Sequence, residues 1–360
     1  MSVSNKVFKI LLQGGLLIVL LFVSACAPAA TPTPEPTAAP KKVALVINGT
    51  LGDLGFFDSA NNGVVRAGKD FGMDVKVIEA TYDTNKWEPA LIDAANGPYD
   101  VIIAGTFNMK EMMEKVAPQF PDKQFILFDV SADFEKCPDC KNIYGIVYRY
   151  NEAGYLAGAL AAKVTSSDMS RANADKVVGF VGGMDIPVIQ NFLVGYEKGI
   201  KDTDPEVKLL TAFAGDFNDP AKGKQLTEQM VDNGADVVWA VAGATGLGVY
   251  EAALEKDIYA IAVNENQVKA LLPNNAGYAD TIAGAAIANV GQSLYIALES
   301  YSKGTMVSGQ NVSYGVKDGV VDLENNEYYQ KIVSEDIRQQ MEALKKEIVD
   351  GKIEIPSVGT

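Results

Sequence analysis

The chain has 360 residues, with 31 Lys and Arg against 46 Asp and Glu, no histidine and three cysteines. Without histidine it can form neither a Ser-His-Asp triad, nor a Cys-His pair, nor a His-ligated metal site. The formal net charge of −15 argues against a broad nucleic-acid-binding surface, because phosphate binding needs clustered Lys and Arg.

The first 25 residues have the pattern of a secretion signal. Lys6 and Lys9 give a positive start, and residues 16–23 form an unbroken apolar run. A bilayer span takes about 20 apolar residues, so this run is too short to be one. The sequence Val-Ser-Ala-Cys at 23–26 closely resembles a bacterial lipobox, which implies cleavage before Cys26 and a diacylglycerol group on its thiol. An ordinary signal peptide with an incidental cysteine is the alternative.

Residues 26–42 are expected to form a tether. Five of the fifteen prolines lie in this stretch, and Pro, Thr and Ala without large apolar groups cannot bury a core. The expected product is a lipid-anchored protein on the extracytoplasmic face of the cell membrane. Anionic lipid would repel its acidic surface, so the acyl chains would hold it there.

From residue 43 onward the pattern alternates between strand and helix. The continuous apolar run Val43–Ile47 is typical of a strand buried on both faces. A first series follows, with helices over 59–71, from 86 and from 109, and strands over 75–78, 101–104 and 125–129. A second series has helices over 152–164, 188–201, 220–233 and 247–255, and strands over 177–181, 208–213, 237–241 and 259–263. An amphipathic helix is predicted over 334–350.

This alternation predicts an α/β fold with two doubly wound parallel-sheet lobes. A single (β/α)₈ barrel is the alternative, but the break at 131–150 and the strand-like segments at 278–282 and 312–321 disturb an eightfold repeat. Glycines, small hydroxyl residues, carboxylates and amides follow the predicted strands. Ligands of doubly wound sheets bind at these strand ends, so a polar cleft is expected there.

Two loops allow both a functional and a structural interpretation. In Asp53–Ser59, one of Phe56 and Phe57 could stack on a flat ligand while the other packs under the loop. The alternative is a helix cap at Asp58 or Ser59 with a hydrophobic staple. The glycine-rich loop 243–248 lacks the spacing of a dinucleotide-binding loop, which favours a tight strand-to-helix turn.

Two further segments favour structural roles. A zinc site at Cys137-Pro-Asp-Cys140 would need two further ligands, but the chain has no other free Cys and no His, and no helix is predicted after the motif. This pattern favours a local disulfide in a secreted protein over a zinc site or a redox centre. The small-residue run over 152–162 predicts a helix packed closely on a sheet.

An ordered set of short motifs lies within residues 43–298, the part of the chain that carries a family resemblance. They are Gly49-x-x-x-Asp53-x-x-Phe56, Pro121–Phe125 with Asp129, Glu152…Tyr155-Leu-Ala-Gly158, Gly179–Gly183 with Pro187, Phe192 and Gly195-Tyr196, Gly215–Asp219 with Lys222-Gly223, Gly234-Ala-Asp236, Ala242–Gly248, and Gln267. Each motif is weak alone, but the set resembles the basic membrane protein (Bmp/PnrA-like) family of lipoproteins. The resemblance implies a substrate-binding component of an ABC importer with the type I periplasmic-binding fold. Several members of that family bind purine nucleosides.

The same resemblance implies the domain organisation and the partners. A multi-strand hinge would join lobe 1, over 43–148 and about 267–303, to lobe 2, over 149–266 and about 304–355. The expected partners are a small-molecule ligand, an ABC permease and, through the lipid anchor, the membrane. No nucleic acid, metal or cofactor is expected, and no enzymatic activity.

The resemblance also implies a ligand site. Asp53 corresponds to a carboxylate near the ligand, and Phe56 and Phe192 correspond to the aromatic residues that sandwich the base. Asp129 matches the carboxylate after the fourth strand, and Gly243 matches a glycine whose backbone lines the cleft. This set suits a purine, because a flat ring stacks between aromatic faces and carboxylates accept its hydrogen bonds.

Five positions depart from the family pattern. Phe57 replaces an Asn, Asn264 and Asn266 replace Asp, and Ala285 and Ala288 replace Ser and Lys. The family's Asp and Lys hold the ribose hydroxyls, and losing a charged hydrogen bond costs about 1.5–3 kcal/mol, a tenfold or larger loss of affinity. Phe57 and Asn264 are included in the predicted ligand site. The expected ligand is a purine nucleoside, a nucleobase or a related flat heterocycle.

Two other function classes compete with an importer subunit. A lipoprotein of the same fold could report its ligand to a membrane signalling protein, or bind a small molecule that is not a nucleoside. A nucleoside hydrolase would need an activated water or a metal cluster of carboxylates, and the sequence has no dense Asp motif of that kind.

Overall fold

Two six-stranded β-sheets organise the protein in a computed structural model that describes residues 39–358. The predicted signal peptide, Cys26 and most of the tether lie outside the described residues. The strands are β1 Lys42–Ile47, β2 Asp74–Glu79, β3 Val101–Gly105, β4 Gln124–Phe128, β5 Ile143–Tyr148, β6 Val177–Gly182, β7 Lys208–Phe213, β8 Ala235–Val241, β9 Tyr259–Ala262, β10 Ile282–Ala288, β11 Gln310–Tyr314 and β12 Val321–Leu323.

Helices cover both faces of each sheet. They are α1 Phe56–Phe71, α2 Trp87–Asn96, α3 Lys110–Val116, α4 Tyr150–Thr165, α5 Pro187–Thr203, α6 Pro220–Asp232, α7 Gly246–Glu255, α8 Gln267–Leu271, α9 Tyr278–Thr281, α10 Val290–Ser302, α11 Glu327–Ile332 and α12 Glu335–Val349. The five apolar residues of β1 after Lys42 are at most 1% exposed, as expected for a strand covered on both sides.

The first lobe contains a fully parallel sheet in the order β11-β5-β4-β3-β1-β2, with α1, α2, α3 and α10. The second lobe contains a sheet in the order β12-β10-β9-β8-β6-β7, with the remaining helices. In that sheet β12 pairs antiparallel with β10, and the other strands are parallel. The predicted pair of doubly wound lobes is confirmed.

The chain crosses between the lobes three times, at Arg149, at Asn289 and over residues 315–320. This differs from the expected return points near 267 and 304, because β10 belongs to the second sheet and β11 to the first. The predicted strand at 278–282 is helix α9 followed by β10, and the segment 312–321 is divided between β11 and β12. Short Ala- and Gly-rich runs such as β10 carry little information on strand boundaries.

Charged groups join two of these crossings. Arg149 Nε donates to Glu152 Oε1 at 2.6 Å, and its Nη2 donates to Asp318 Oδ2 at 3.0 Å. Glu152 Oε2 in turn accepts the backbone N–H of Val316 at 2.6 Å. The first and third crossings therefore form one hydrogen-bonded hinge.

Helices α4 and α5 approach each other backbone to backbone. A Cβ built on Gly154 would lie 2.1 Å from the carbonyl oxygen of Phe192, and one built on Gly158 would lie 2.1 Å from that of Tyr196. Gly195 is equally close to α4, 2.0 Å from the carbonyl oxygen of Asn151. The small residues of α4 thus serve close helix–helix packing, whereas the sequence predicted helix–sheet packing.

Candidate ligand-binding site

One cavity of about 470 Å³ lies at the carboxyl ends of strands from both sheets. This volume is in the usual range for a small-molecule site. The first lobe contributes Asn48, Asp53, Phe56, Phe57, Tyr82, Trp87, Thr106, Phe107, Asn108, Asp129 and Val290, and Tyr150 and Ala288 lie beside crossings. The second lobe contributes Met184, Ile186, Val188, Ile189, Phe192, Gly215, Asp216, Phe217, Val241, Ala242, Gly243, Ala244, Val263 and Asn264.

All seven residues of the predicted ligand site line this cavity: Asp53, Phe56, Phe57, Asp129, Phe192, Gly243 and Asn264. Of the other departures, Ala288 also lines it, whereas Asn266 and Ala285 do not. The sequence motifs, although 190 residues apart between Asp53 and Gly243, therefore meet at one place.

Asp53 caps the helix that leads into the cavity. Its Oδ1 accepts the backbone N–H groups of Gly55 at 3.0 Å and Asp58 at 3.1 Å, and its Oδ2 accepts that of Phe57 at 2.8 Å. Burial raises the pKa of Asp53, and these N–H groups oppose the rise. A helix cap at Asp58 or Ser59, one of the two alternatives for this loop, is wrong, because α1 begins earlier, at Phe56.

Phe56 and Phe57 both line the cavity, but their rings are placed differently. The Phe57 ring lies under the loop, where a Cβ on Gly49 would come within 2.3 Å of a ring carbon. Only glycine at position 49 leaves room for that ring. Phe56 is less buried and meets the rings of Phe57 and Phe128 at 5.3 and 5.8 Å between centroids. Phe56 is therefore the ring of this pair that is better placed to meet a ligand.

Asp129 and Tyr150 form a polar pair in the cavity wall. The Tyr150 hydroxyl donates a hydrogen bond to Asp129 Oδ1. Burial raises the pKa of Asp129 to about 7, against the lowering effect of this hydrogen bond. Burial also raises the pKa of Tyr150, so the phenol stays protonated and keeps donating.

Phe192 is buried among other rings. Its centroid is 4.2 Å from that of Tyr150 and 5.6 Å from that of Trp239, with the second pair edge to face. Only 5% of Phe192 is exposed. Phe192 therefore supports the second lobe as well as lining the cavity.

A hydrogen bond between loops at the mouth of the cavity joins the two lobes. Gln267 Nε2 donates to the carbonyl oxygen of Leu54 at 2.9 Å, and Asn264 Nδ2 donates to Gln267 Oε1 at 2.9 Å. The Asn264 amide also lies against Gly55, where a Cβ would come within 2.5 Å of Nδ2. Gly243, with a φ of 57°, begins the 3₁₀ turn Gly243–Thr245 before α7, as predicted for a strand-to-helix turn.

Several cavity residues were not predicted as site residues. They lie in loops after strands or at the first position of a helix, and are mostly aromatic, together with one acid: Tyr82, Trp87, Phe107, Tyr150, Asp216 and Phe217. With Phe56, Phe57 and Phe192, eight aromatic side chains line the cavity. Their position after strand ends was the only feature of the sequence that pointed to the cavity. Many other residues also follow strands, so this feature did not identify them.

Cys137 and Cys140 are joined in a disulfide, with their Cα atoms 5.4 Å apart. Cys26, the predicted lipidation site, lies outside the described residues. Within residues 39–358, no group of three or more Cys, Asp or Glu side chains is arranged to hold a metal ion. None of the helices in the same range is long and apolar enough to cross a membrane.

The chain is similar to known proteins of one family. A family model described as ABC transporter substrate-binding protein PnrA-like (Bmp) matches residues 40–358. Basic membrane protein A2 of Borrelia garinii subsp. bavariensis is 28% identical over 318 residues, which cover 88% of each chain. The CD4+ T-cell-stimulating antigen of Listeria monocytogenes serovar 1/2a is 29% identical over 346 residues, covering 87% of each chain.

The fold comparison agrees. The crystal structure of an ABC transporter solute-binding protein from Aeropyrum pernix K1 aligns with a TM-score of 0.76 and 26% identity, covering 89% of this chain and 94% of that one. The type I periplasmic-binding fold is therefore confirmed. Because the family match covers nearly the whole described structure, the chain belongs to the PnrA-like (Bmp) family of ABC transporter substrate-binding proteins, extracytoplasmic proteins that bind a small molecule for a permease and catalyse no reaction.

Proposed function

We propose that the protein captures a flat nitrogen-containing heterocycle, a purine nucleoside or nucleobase or a close relative, in the cavity between its lobes. One observation carries this proposal: aromatic side chains from both lobes, such as Phe56 and Phe192, line the same cavity. A planar ring gains most when aromatic faces approach it from two sides. A sugar would make less use of so many rings.

Polar groups around the rings support a ligand with ring N–H groups or hydroxyls. Asp129 offers a carboxylate oxygen, and Asn48 and Thr106, joined by a hydrogen bond of 3.0 Å, lie at neighbouring strand ends. Carboxylates accept hydrogen bonds, and amide and hydroxyl groups both donate and accept. These groups can therefore fix the orientation of a stacked ring.

Thermal-shift screening of the purified protein tests the proposal. Nucleosides, nucleobases, thiamine-like heterocycles and sugars are compared at equal concentration. A ligand at 100 times its Kd stabilises the native state by about 2.7 kcal/mol, so the true ligand class should raise the melting temperature clearly. A shift with sugars and none with any nucleoside, base or heterocycle would contradict the proposal.

We also propose that a diacylglycerol group on Cys26 anchors the protein to the membrane. The support is the lipobox-like sequence at 23–26 and the proline-rich stretch that follows it. Mass spectrometry of the protein from the membrane fraction should find Cys26 as the N-terminal residue with the lipid attached. The Cys26→Ser variant should lack this mass, and an unmodified Cys26 in the native protein would refute the anchor.

A further inference from the structure

Among residues 39–358, the charged side chains that line the cavity are all acidic. They are the carboxylates of Asp53, Asp129 and Asp216, and none of the lining residues in this range is Lys or Arg. Two of the acids come from the first lobe and one from the second, so the excess negative charge faces the cavity from both sides. A phosphorylated ligand would meet repulsion from all three.

In the part of the chain that the structure describes, no Lys or Arg forms an ion pair with these carboxylates. None of the ion pairs within residues 39–358 involves Asp53, Asp129 or Asp216. Asp53 is held by backbone N–H groups, Asp129 by the Tyr150 hydroxyl, and Asp216 Oδ1 by the N–H of Asn218 at 2.8 Å. All these donors are neutral, so the negative charge is left for a ligand to balance.

The aromatic lining adds to this preference. The face of an aromatic ring carries the negative part of its quadrupole, and it attracts a cation within about 6 Å of its centre. Eight aromatic side chains surround the cavity. A neutral ring uses only their stacking, whereas a charged ring uses their stacking and their electrostatic attraction.

We propose that this cavity selects a heteroaromatic cation, a flat ring carrying a positive charge, over the neutral ring of the same shape. The inference rests on the proposed function and narrows it to the charged members of that ligand class. Burial raises the pKa of Asp129 to about 7, so this carboxyl is partly protonated at pH 7 and the charge selection rests mainly on the positions of all three carboxylates without a neighbouring cation.

Two methylated adenosines test the effect of charge. They are isomers in their neutral forms, but 1-methyladenosine binds a proton at neutral pH and its ring is then a cation, whereas N6-methyladenosine stays neutral. Isothermal titration calorimetry of the purified protein at pH 7 should give a Kd at least about tenfold lower for the cation, a ratio typical of a desolvated cation–π contact. Adenosine serves as the unmethylated reference.

Position 288 allows the charge of the cavity to be changed. Ala288 lines the cavity and is partly exposed, so Ala288→Lys adds one positive charge, and Ala288→Met adds similar length without charge. The preference for the cation over its isomer should fall about tenfold or more in Ala288→Lys. Ala288→Met also changes the cavity wall and should alter the Kd of both nucleosides, but their ratio should fall less than in Ala288→Lys.

The outcomes separate this inference from the proposed function. Equal or tighter binding of N6-methyladenosine or adenosine would overturn the charge selection and leave the proposed function standing. An unchanged preference in Ala288→Lys would also overturn the charge selection. If no nucleoside, base or charged heterocycle binds, the proposed function fails and the inference fails with it.

Discussion

Gly195→Ala should lower the free energy of unfolding by about 3 kcal/mol, although it adds only one methyl group. The new Cβ would lie 2.0 Å from the carbonyl oxygen and 2.8 Å from the carbonyl carbon of Asn151. These are backbone atoms of α4, so α4 and α5 must move apart to make room. In an unpacked helix the same change would stabilise by up to about 1 kcal/mol, so the loss would come from packing alone. The urea midpoint measures the effect.

Gly246→Ala is the matched control. Gly246 begins α7 with a φ of −61°, and the nearest atom to its Cβ would be Ala240 Cβ at 3.4 Å. This variant should be neutral or slightly more stable than the wild type. Equal midpoints for Gly195→Ala and the wild type would show that the helices adapt without cost and would contradict the close packing.

Phe56→Ala should weaken binding of the most stabilising nucleoside of the thermal screen by about ten- to a hundredfold. Stacking of one base on an aromatic side chain contributes about 1–3 kcal/mol, and each 1.4 kcal/mol is tenfold in Kd. Phe56 is only partly buried, so its removal should cost less stability than removal of the buried Phe192. Isothermal titration calorimetry gives the Kd of each variant.

Phe71→Ala on the same helix is its control. Phe71 ends α1, packs on Tyr295 with the ring centroids 5.2 Å apart, and lies outside the cavity. It should lose stability and keep a Kd within about threefold of the wild type. If both variants lose affinity equally, the effect comes from a weakened α1 and the stacking role of Phe56 is wrong.

The fold was predictable from the sequence because each element carries a strong local signal. The continuous apolar run of β1 predicts a strand covered on both faces, and the repeated strand–helix alternation leads to doubly wound sheets. The boundaries between the two lobes were harder to predict from the sequence. β10 is an Ala- and Gly-rich run, Ile-Ala-Gly-Ala-Ala-Ile-Ala, and its partner sheet depends on contacts with β9 and β12 that local pattern does not encode.

The candidate site was predictable where its residues form motifs. Asp53 and Phe56 belong to one short motif, and all seven expected residues line one cavity. Tyr150 was missed because its partner, Asp129, lies 21 residues earlier in the chain, and only the crossing at Arg149 brings the two together. The number of carboxylates in the cavity could not be predicted either, because Asp216 belongs to the second lobe and meets Asp53 and Asp129 only in the folded protein.

The three crossings also determine which fragments and chimeras of this protein can contain a complete lobe. Among the described residues, the first lobe consists of residues 42–148 and 290–314, so no contiguous fragment contains this lobe alone. A chimera that exchanges one lobe with a relative needs junctions at Arg149, at Asn289 and within residues 315–320. Because both lobes supply residues to the cavity wall, such a chimera would have a cavity with one wall from each parent protein. Exchanging one lobe therefore cannot transfer the ligand preference of a relative intact.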